Sequence, residues 1–352
     1  MTDYNQILQQ EIQELKDRVS QSQMPEEMSR KISKDIVALQ RSVELGSYDE
    51  KYEKVSKYVD WVLKIPWQKT SKDRLDIVET KKIFDQHHFG MDDVKDRFLE
   101  YVSVLNLRNK QAADGEFKAP ILLLVGLVGT GKTTFAFSLA EALEREIVRI
   151  PFGGMGSAKE LRGNSRLILG SEPGKVIRGV VESGVRNPVI LLDEIDRVAK
   201  EANSDIMGVL IELLDPAQNN KFVDNFIDYP VDLSQAIFIA TCNNTRNIAT
   251  AVLDRMEKIS MPSYSDDEKI NIGKKYILPQ LLEEAGLLNG QFVLLEEVWP
   301  QMVRPLGFDA GIRTLQRNLK GAVRKAARII VEKGYKEVVI TLENAKIFLP
   351  QY

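Results

Sequence analysis

Ile121-Leu122-Leu123-Leu124-Val125-Gly126-Leu127-Val128-Gly129-Thr130-Gly131-Lys132-Thr133-Thr134 opens on an unbroken apolar run and then breaks into glycines. A run of that kind fits a strand buried on both faces, which favours a parallel sheet covered by helices over an antiparallel sheet with one wet face. Residues 189–192 and 236–240 repeat the pattern, while 134–143 and 204–214 carry helical spacing. Residues 70–262 are therefore expected to form an α/β layer structure.

On the amino-terminal side, Leu8, Ile12, Leu15 and Val19 recur at spacings of four, three and four among charged and amide side chains, the stripe of an amphipathic helix. Pro25 suits the start of a second helix, striped by Met28, Ile32, Ile36, Leu39 and Val43. A third follows Gly46, with Tyr52, Val55, Val59 and Val62, and stops at Pro66. Each stripe is short for a free coiled coil, so residues 1–69 read as an antiparallel helical arm or linker. Beyond Pro262 the spacing is again helical over 266–277, 278–285 and 311–333, with a short strand at 338–341. Residues 263–352 read as a smaller, mostly helical domain.

Composition narrows the classes without naming one. A chain of 352 residues exceeds the roughly 100–200 of one domain. With 43% apolar and 28% charged residues it is neither disordered nor collagen-like. The net charge of −3 argues against a general nucleic-acid or membrane affinity. One cysteine, Cys242, rules out a disulfide framework and reads as an inert buried thiol; two histidines argue against a His-rich metal site. The polar, acidic start and the lack of a long apolar run predict a soluble, cytoplasmic protein.

Gly126-Leu127-Val128-Gly129-Thr130-Gly131-Lys132-Thr133 satisfies GxxxxGK[ST] in full, between a predicted strand and a predicted helix. Glycines let backbone N–H groups turn inward around phosphates, and the helix start adds partial positive charge. Lys132 supplies a point charge to the β- and γ-phosphates, and the Thr133 hydroxyl can ligate Mg2+; Thr134 extends the loop. Val189-Ile190-Leu191-Leu192-Asp193-Glu194 is a weak signal alone. Paired with the loop it predicts Asp193 beside the metal and Glu194 polarising the attacking water. ATP and Mg2+ are the expected cofactors.

A strand ending Ala240-Thr241-Cys242-Asn243-Asn244, then Leu253-Asp254-Arg255-Met256-Glu257 and Ala310-Gly311-Ile312-Arg313-Thr314-Leu315, completes the residue set of the AAA+ ATPases. More narrowly, the chain resembles the ATPase module of the Lon protease family. The resemblance rests on Phe152-Gly153-Gly154, Leu161-Arg162-Gly163, Gly170-Ser171-Glu172-Pro173-Gly174, Leu214-Asp215-Pro216-Ala217-Gln218-Asn219-Asn220 and Ile65-Pro66-Trp67, and covers nearly the whole chain. It implies a P-loop AAA+ large domain with its parallel sheet sandwiched by helices, a small helical lid and a preceding helical arm. It makes Asn243 the sensor amide, Arg255 the finger reaching a neighbouring subunit's ATP, and Arg313 the second sensor. It sets His88-Phe89-Gly90 and Tyr264 by the adenine, although Phe89 and Tyr264 also read as core aromatics.

The resemblance implies a homo-oligomeric ring, usually hexameric, acting on unfolded or misfolded proteins. In the family an aromatic–aliphatic pair enters the pore; here the pair is Ile168 and Leu169. The family's Ser–Lys peptidase domain follows the small domain, and no such motif occurs in these residues, so peptide hydrolysis is not expected from them. Two functions stay open: an ATP-driven motor threading substrates for proteolysis, and a nucleotide-gated binding or assembly module, or stand-alone remodeller, without proteolysis.

Overall fold

The computed structural model describes residues 2–44, 49–111, 119–288, 290–304 and 311–349. Gly46 and Ala310 lie outside the described residues, as do the side chains of Leu8 and Val43. The chain divides into two compact units. The first comprises residues 1–76, 101–123 and 140–258, the second 77–100, 124–139 and 259–352. No described helix is long and apolar enough to cross a membrane.

In the first unit, α1 (Thr2–Ser20), α2 (Glu26–Glu44) and α3 (Asp49–Lys64) form the arm. Pro25 stands just before α2, its carbonyl accepting from Ser29 N at 3.0 Å. The stripes face one another: Ile12, Leu15, Val19, Met28, Ile32, Ile36, Leu39, Val59 and Val62 are all buried, and each fully buried aliphatic contributes roughly 1.5–3 kcal/mol. Tyr58, outside the predicted stripe, is 1% exposed and donates to the Ile227 carbonyl at 2.9 Å. The arm thus packs onto the body as well as onto itself.

The sheet contains β1 (Ile121–Val125), β2 (Ile147–Pro151), β3 (Val189–Asp193), β6 (Ile237–Cys242) and β7 (Met256–Ser260), in the order β2-β3-β6-β1-β7. The short pair β4 (Phe222–Val223) and β5 (Pro230–Val231) lies apart. β2 pairs parallel with β3, Ile147 opposite Val189, and β3 with β6, Val189 opposite Ile237. Every residue of β3 and β6 is buried, which is why their sequences are continuous apolar runs rather than alternations. β2, at one end of the order, alternates buried with exposed residues, and β7, at the other end, buries Ile259 while Glu257, Lys258 and Ser260 are exposed.

One buried arginine ties the amino ends of two strands to the chain before the sheet. Arg145 forks onto Asp73 with Nε and Nη2 at 2.7 and 2.6 Å. Its Nη1 donates to the carbonyls of Asn187 and Gln235, just ahead of β3 and β6, at 2.9 and 2.8 Å.

In the second unit, the helix Asp266–Ile272 starts with a capping box between Ser265 and Glu268. It passes through a π turn, Gly273–Ile277, into Leu278–Glu284, near Pro279, which has no backbone N–H to donate. Gly273 is required by packing, since a Cβ there would sit 2.5 Å from Trp299. The helix Arg313–Lys333 buries Leu315, Leu319, Ala322, Val323 and Ala326. β8 (Phe292–Leu294) and β9 (Val338–Ile340) pair in parallel.

Arg145→Met removes the cation from Asp73 and two strand-end carbonyls. Loss of one partner of a buried ion pair costs about 3–5 kcal/mol. The urea midpoint should fall by a corresponding amount; an unchanged midpoint would show that water replaces the guanidinium.

Candidate functional site

The second unit carries the loop after β1. Gly129 and Gly131 have φ of 82° and 91°, in the left-handed region where side chains are strained. The Thr130 hydroxyl donates to Leu127 O at 2.9 Å and that of Thr134 to Gly131 O at 2.7 Å, holding the turn closed. Lys132, 7% exposed, lies under the loop with Nζ donating to Gly126 O at 2.6 Å and Leu127 O at 2.9 Å. Thr133 follows in the first turn of the helix Lys132–Leu143.

The Gly311–Arg313 segment rests against this loop. Ile312 N donates to Gly129 O at 3.1 Å, and the Arg313 Cγ would be 3.3 Å from a Cβ on Gly129. Gly311 comes so close that a Cβ on it would lie 2.4 Å from Val128 O, so no side chain fits. Tyr264, 6% exposed, aims its hydroxyl at Thr130 O across 3.5 Å, and burial raises its pKa to about 12, so it stays a neutral phenol. Left-handed glycines, a buried ammonium and a helix start together fit a phosphate chain. Lys132 and Thr133 are the groups that could hold the phosphates and the metal.

His88 is committed to the core. Its ring stacks on Phe135 with centroids 3.7 Å apart, and its Nε2 lies 2.9 Å from Ser138 Oγ, which also meets His87 Nδ1 at 3.0 Å. The His88 side chain is therefore turned to the protein, and the backbone of the His88-Phe89-Gly90 turn is what this segment can offer a ligand. Gly90 has φ 62°, and Lys275 lies over the half-buried Phe89 ring at 5.3 Å.

The first unit carries the other group. Asp193, 3% exposed, ends β3. Arg149 donates to its Oδ2 with Nε at 2.8 Å and Nη2 at 2.6 Å, and the Thr241 hydroxyl donates to its Oδ1 at 2.6 Å. Thr241 Oγ accepts from Glu194 N at 2.8 Å, so one hydroxyl orients both acidic residues. Glu194 has φ 59° and ψ 49°, an uncommon backbone for glutamate and the kind of outlier that accompanies functional sites. Its carboxylate meets Arg197 at 3.2 Å. Buried Asp196 accepts from Asn243 N and Asn244 N at 3.1 and 3.3 Å, aligning the chain where Asn243 leaves β6.

Arg255 donates to Ala251 O at 2.5 Å and lies 3.2 Å from Asp215, within its own chain. Backbone donation from Ala217, then Gln218 and Arg255, lowers the Asp215 pKa. Ile168 and Leu169 lie in a bend and a turn at 55% and 76% exposure and form no strand. Cys242 is buried.

Sequence reasoning did not single out Arg149, Thr241 and Asp196. Thr241 left a signal, being a hydroxyl inside an apolar strand. Arg149 left none, because an arginine in an edge strand reads as a solvated face.

Residues 122–264, which include this loop and the acidic strand end, match the ATPase family associated with various cellular activities (AAA). The chain is 38% identical to Lon protease 2 of Thermus thermophilus over 97% of its own length and 43% of that protein. It is 38% identical to Lon protease of Bacillus thuringiensis over 95% and 41%, and 39% identical to that of Brevibacillus choshinensis over 98% and 43%. The chain carries a Lon-type AAA ATPase module, and spans about two fifths of the length of the curated relatives it matches.

Burial, with the charges of His87 and Lys95 adding to it, lowers the His88 pKa from 6.5 to about 3. The unfolded chain therefore binds a proton near pH 6.5 that the folded chain refuses until about 3. The stability from a neutral His88 is complete above pH 6.5 and is lost as pH falls, by at most about 1.4 kcal/mol per pH unit. His88→Phe keeps a ring against Phe135 and should flatten the fall in melting temperature between pH 6.5 and 4; parallel curves for parent and variant would refute the assignment.

Proposed function

We propose that this module hydrolyses ATP with Mg2+ and couples turnover to drawing unfolded or misfolded polypeptide through a ring of its own copies, for proteolysis of the kind named in its relatives. The observation that carries the reading is the loop Gly126–Thr133, with its buried ammonium, its left-handed glycines and Gly311 against it. Mg2+ supplies charge neutralisation to the phosphates when bound. Lys132 and the N–H groups of Gly126, Leu127, Val128, Gly129, Thr130 and Gly131 hold the phosphates. Thr133 and Asp193 hold the metal, and Thr134 closes the turn behind them. Glu194 orients the attacking water and takes its proton.

In this reading Asn243 steadies that water, Arg255 leaves Asp215 to reach the nucleotide of a neighbouring copy, and Arg313 couples the lid to the loop. The His88-Phe89-Gly90 backbone and Tyr264 flank the base. The functional parts are an arm over 1–69, a nucleotide-binding domain over 70–262 and a lid over 263–352. We expect a cytoplasmic protein whose hexameric ring forms weakly or on ATP binding.

A second reading, a nucleotide-gated assembly module without threading, is favoured by the aliphatic pair Ile168 and Leu169 where the family carries an aromatic. Two experiments test the proposal, and the second separates the readings. Glu194→Gln should retain MgATP binding and lose turnover by on the order of a hundredfold or more, whereas Lys132→Ala should lose nucleotide affinity. Parental turnover in Glu194→Gln would overturn the assignment of the lytic residue. Ile168→Ser with Leu169→Ser should leave the melting temperature nearly unchanged, because both side chains are exposed, and abolish stimulation of the ATPase by casein. A parent that no unfolded protein stimulates would favour the second reading.

A further inference from the structure

The loop of residues 164–170 is poorly packed. Leu167, Ile168 and Leu169 are 84%, 55% and 76% exposed, so the hydrophobic effect does not hold them in place. The loop root lines a cavity on either side. One, of about 330 Å³, lies among Asp35, Ala38, Leu39, Val55, Arg166 and Leu167. The other, of about 560 Å³, lies among Asn164, Arg166, Leu167, Ile168, Val223 and Asn225. The hydrogen bonds of Ile168 N to Ser165 O and Ser171 N to Ile168 O are made within the segment and shape the turn without fixing where it points.

Besides the bonds of Asn225 to the Arg162 and Gly163 carbonyls, the side chain that ties the root to the arm is Arg166. Its Nη1 donates to Asp35 of α2 at 2.7 Å, and its guanidinium lies 4.2 Å from the centre of the Tyr58 ring of α3. Both members of the ion pair are half-buried, at 28% and 29% exposure. Tyr58 is itself fixed, buried and bonded to Ile227 O. Other ion pairs join arm and body. Lys31 meets Asp228 at 2.7 Å, and Lys57 meets Glu172, past the loop's far end, at 3.5 Å. Their acidic partners are 66% and 48% exposed, where solvent screening leaves such pairs little energy. A guanidinium held at once by a carboxylate and an aromatic face, partly desolvated, is the strong member of the set.

We infer that Arg166 is a positioning residue for the apolar loop, and that the helical arm, through Asp35 and Tyr58, sets where Leu167, Ile168 and Leu169 stand to meet a polypeptide. The role of the loop rests on the proposed function; the anchoring does not. Because coupling between two sites is reciprocal, an arm held in place steadies the loop, and a polypeptide on the loop steadies the arm.

The test uses the full chain with Asp35→Asn, Arg166→Gln and their double variant, read by deuterium uptake of the 163–174 peptide and by casein titration of the ATPase. Asp35→Asn keeps the shape of a half-exposed side chain, so folding is preserved. Each single variant should raise loop uptake and raise the casein concentration for half-maximal stimulation by on the order of fivefold, with the maximum retained. The double variant should be no worse than Arg166→Gln alone, since that change already removes the guanidinium that Asp35 holds, along with its contact to Tyr58. Arg166→Lys, which keeps the charge and loses the planar fork, should recover only part of the protection. Uptake unchanged in both singles, or effects that add in full, would overturn the anchor. Raised uptake with a parent that casein does not stimulate would uphold the anchor and remove the loop's role in threading.

Discussion

Asp193 is a carboxylate buried to 3% exposure at the end of a central strand, and a buried anion is affordable only when paired and hydrogen-bonded. That requirement organises its neighbours. β2 must pair with β3 in the register that sets Arg149 two residues from the partner of Asp193, and β6 must carry a hydroxyl where the rest of the strand is apolar. The same hydroxyl fixes Glu194 N, so the cost of burying one acid also orients the next. A carboxylate with both oxygens occupied has little freedom to rotate, which suits the metal-holding role proposed for it.

The central strands were legible because burial on both faces leaves no room for polar residues, and β1, β3 and β6 begin within one residue of their predicted starts. The edge strands were not. Arg149 in β2 and Glu257-Lys258 in β7 interrupt any apolar run, since β2 exposes one face and β7 exposes both. β4, β5 and β8 are too short to show a period at all. The arm helices followed their stripes, but Tyr58 was invisible to the period because part of its burial comes from the body, where its hydroxyl meets Ile227.

The phosphate loop and its acidic partners could be read because their chemistry admits few residue types in a fixed spacing. Arg149, Asp196 and Arg166 could not, because their partners lie far away in sequence and an arginine's default is a solvated surface. His88 shows the converse. A motif set it beside a ligand, and packing gave its ring to Phe135 and Ser138. Motif spacing fixes which backbone reaches a site; which way each side chain turns is decided by whatever packs behind it.

Glu194 has a further consequence through its left-handed backbone. A non-glycine residue held there costs of order 1–3 kcal/mol, against a total stability of about 5–15 kcal/mol for a typical domain. Glycine at this position would relax the backbone and delete the carboxylate in a single substitution. Selection for heat resistance alone, blind to turnover, would drift toward that glycine. Under the role proposed for Glu194, residue 194 is thus a point where durability and work pull the sequence in opposite directions.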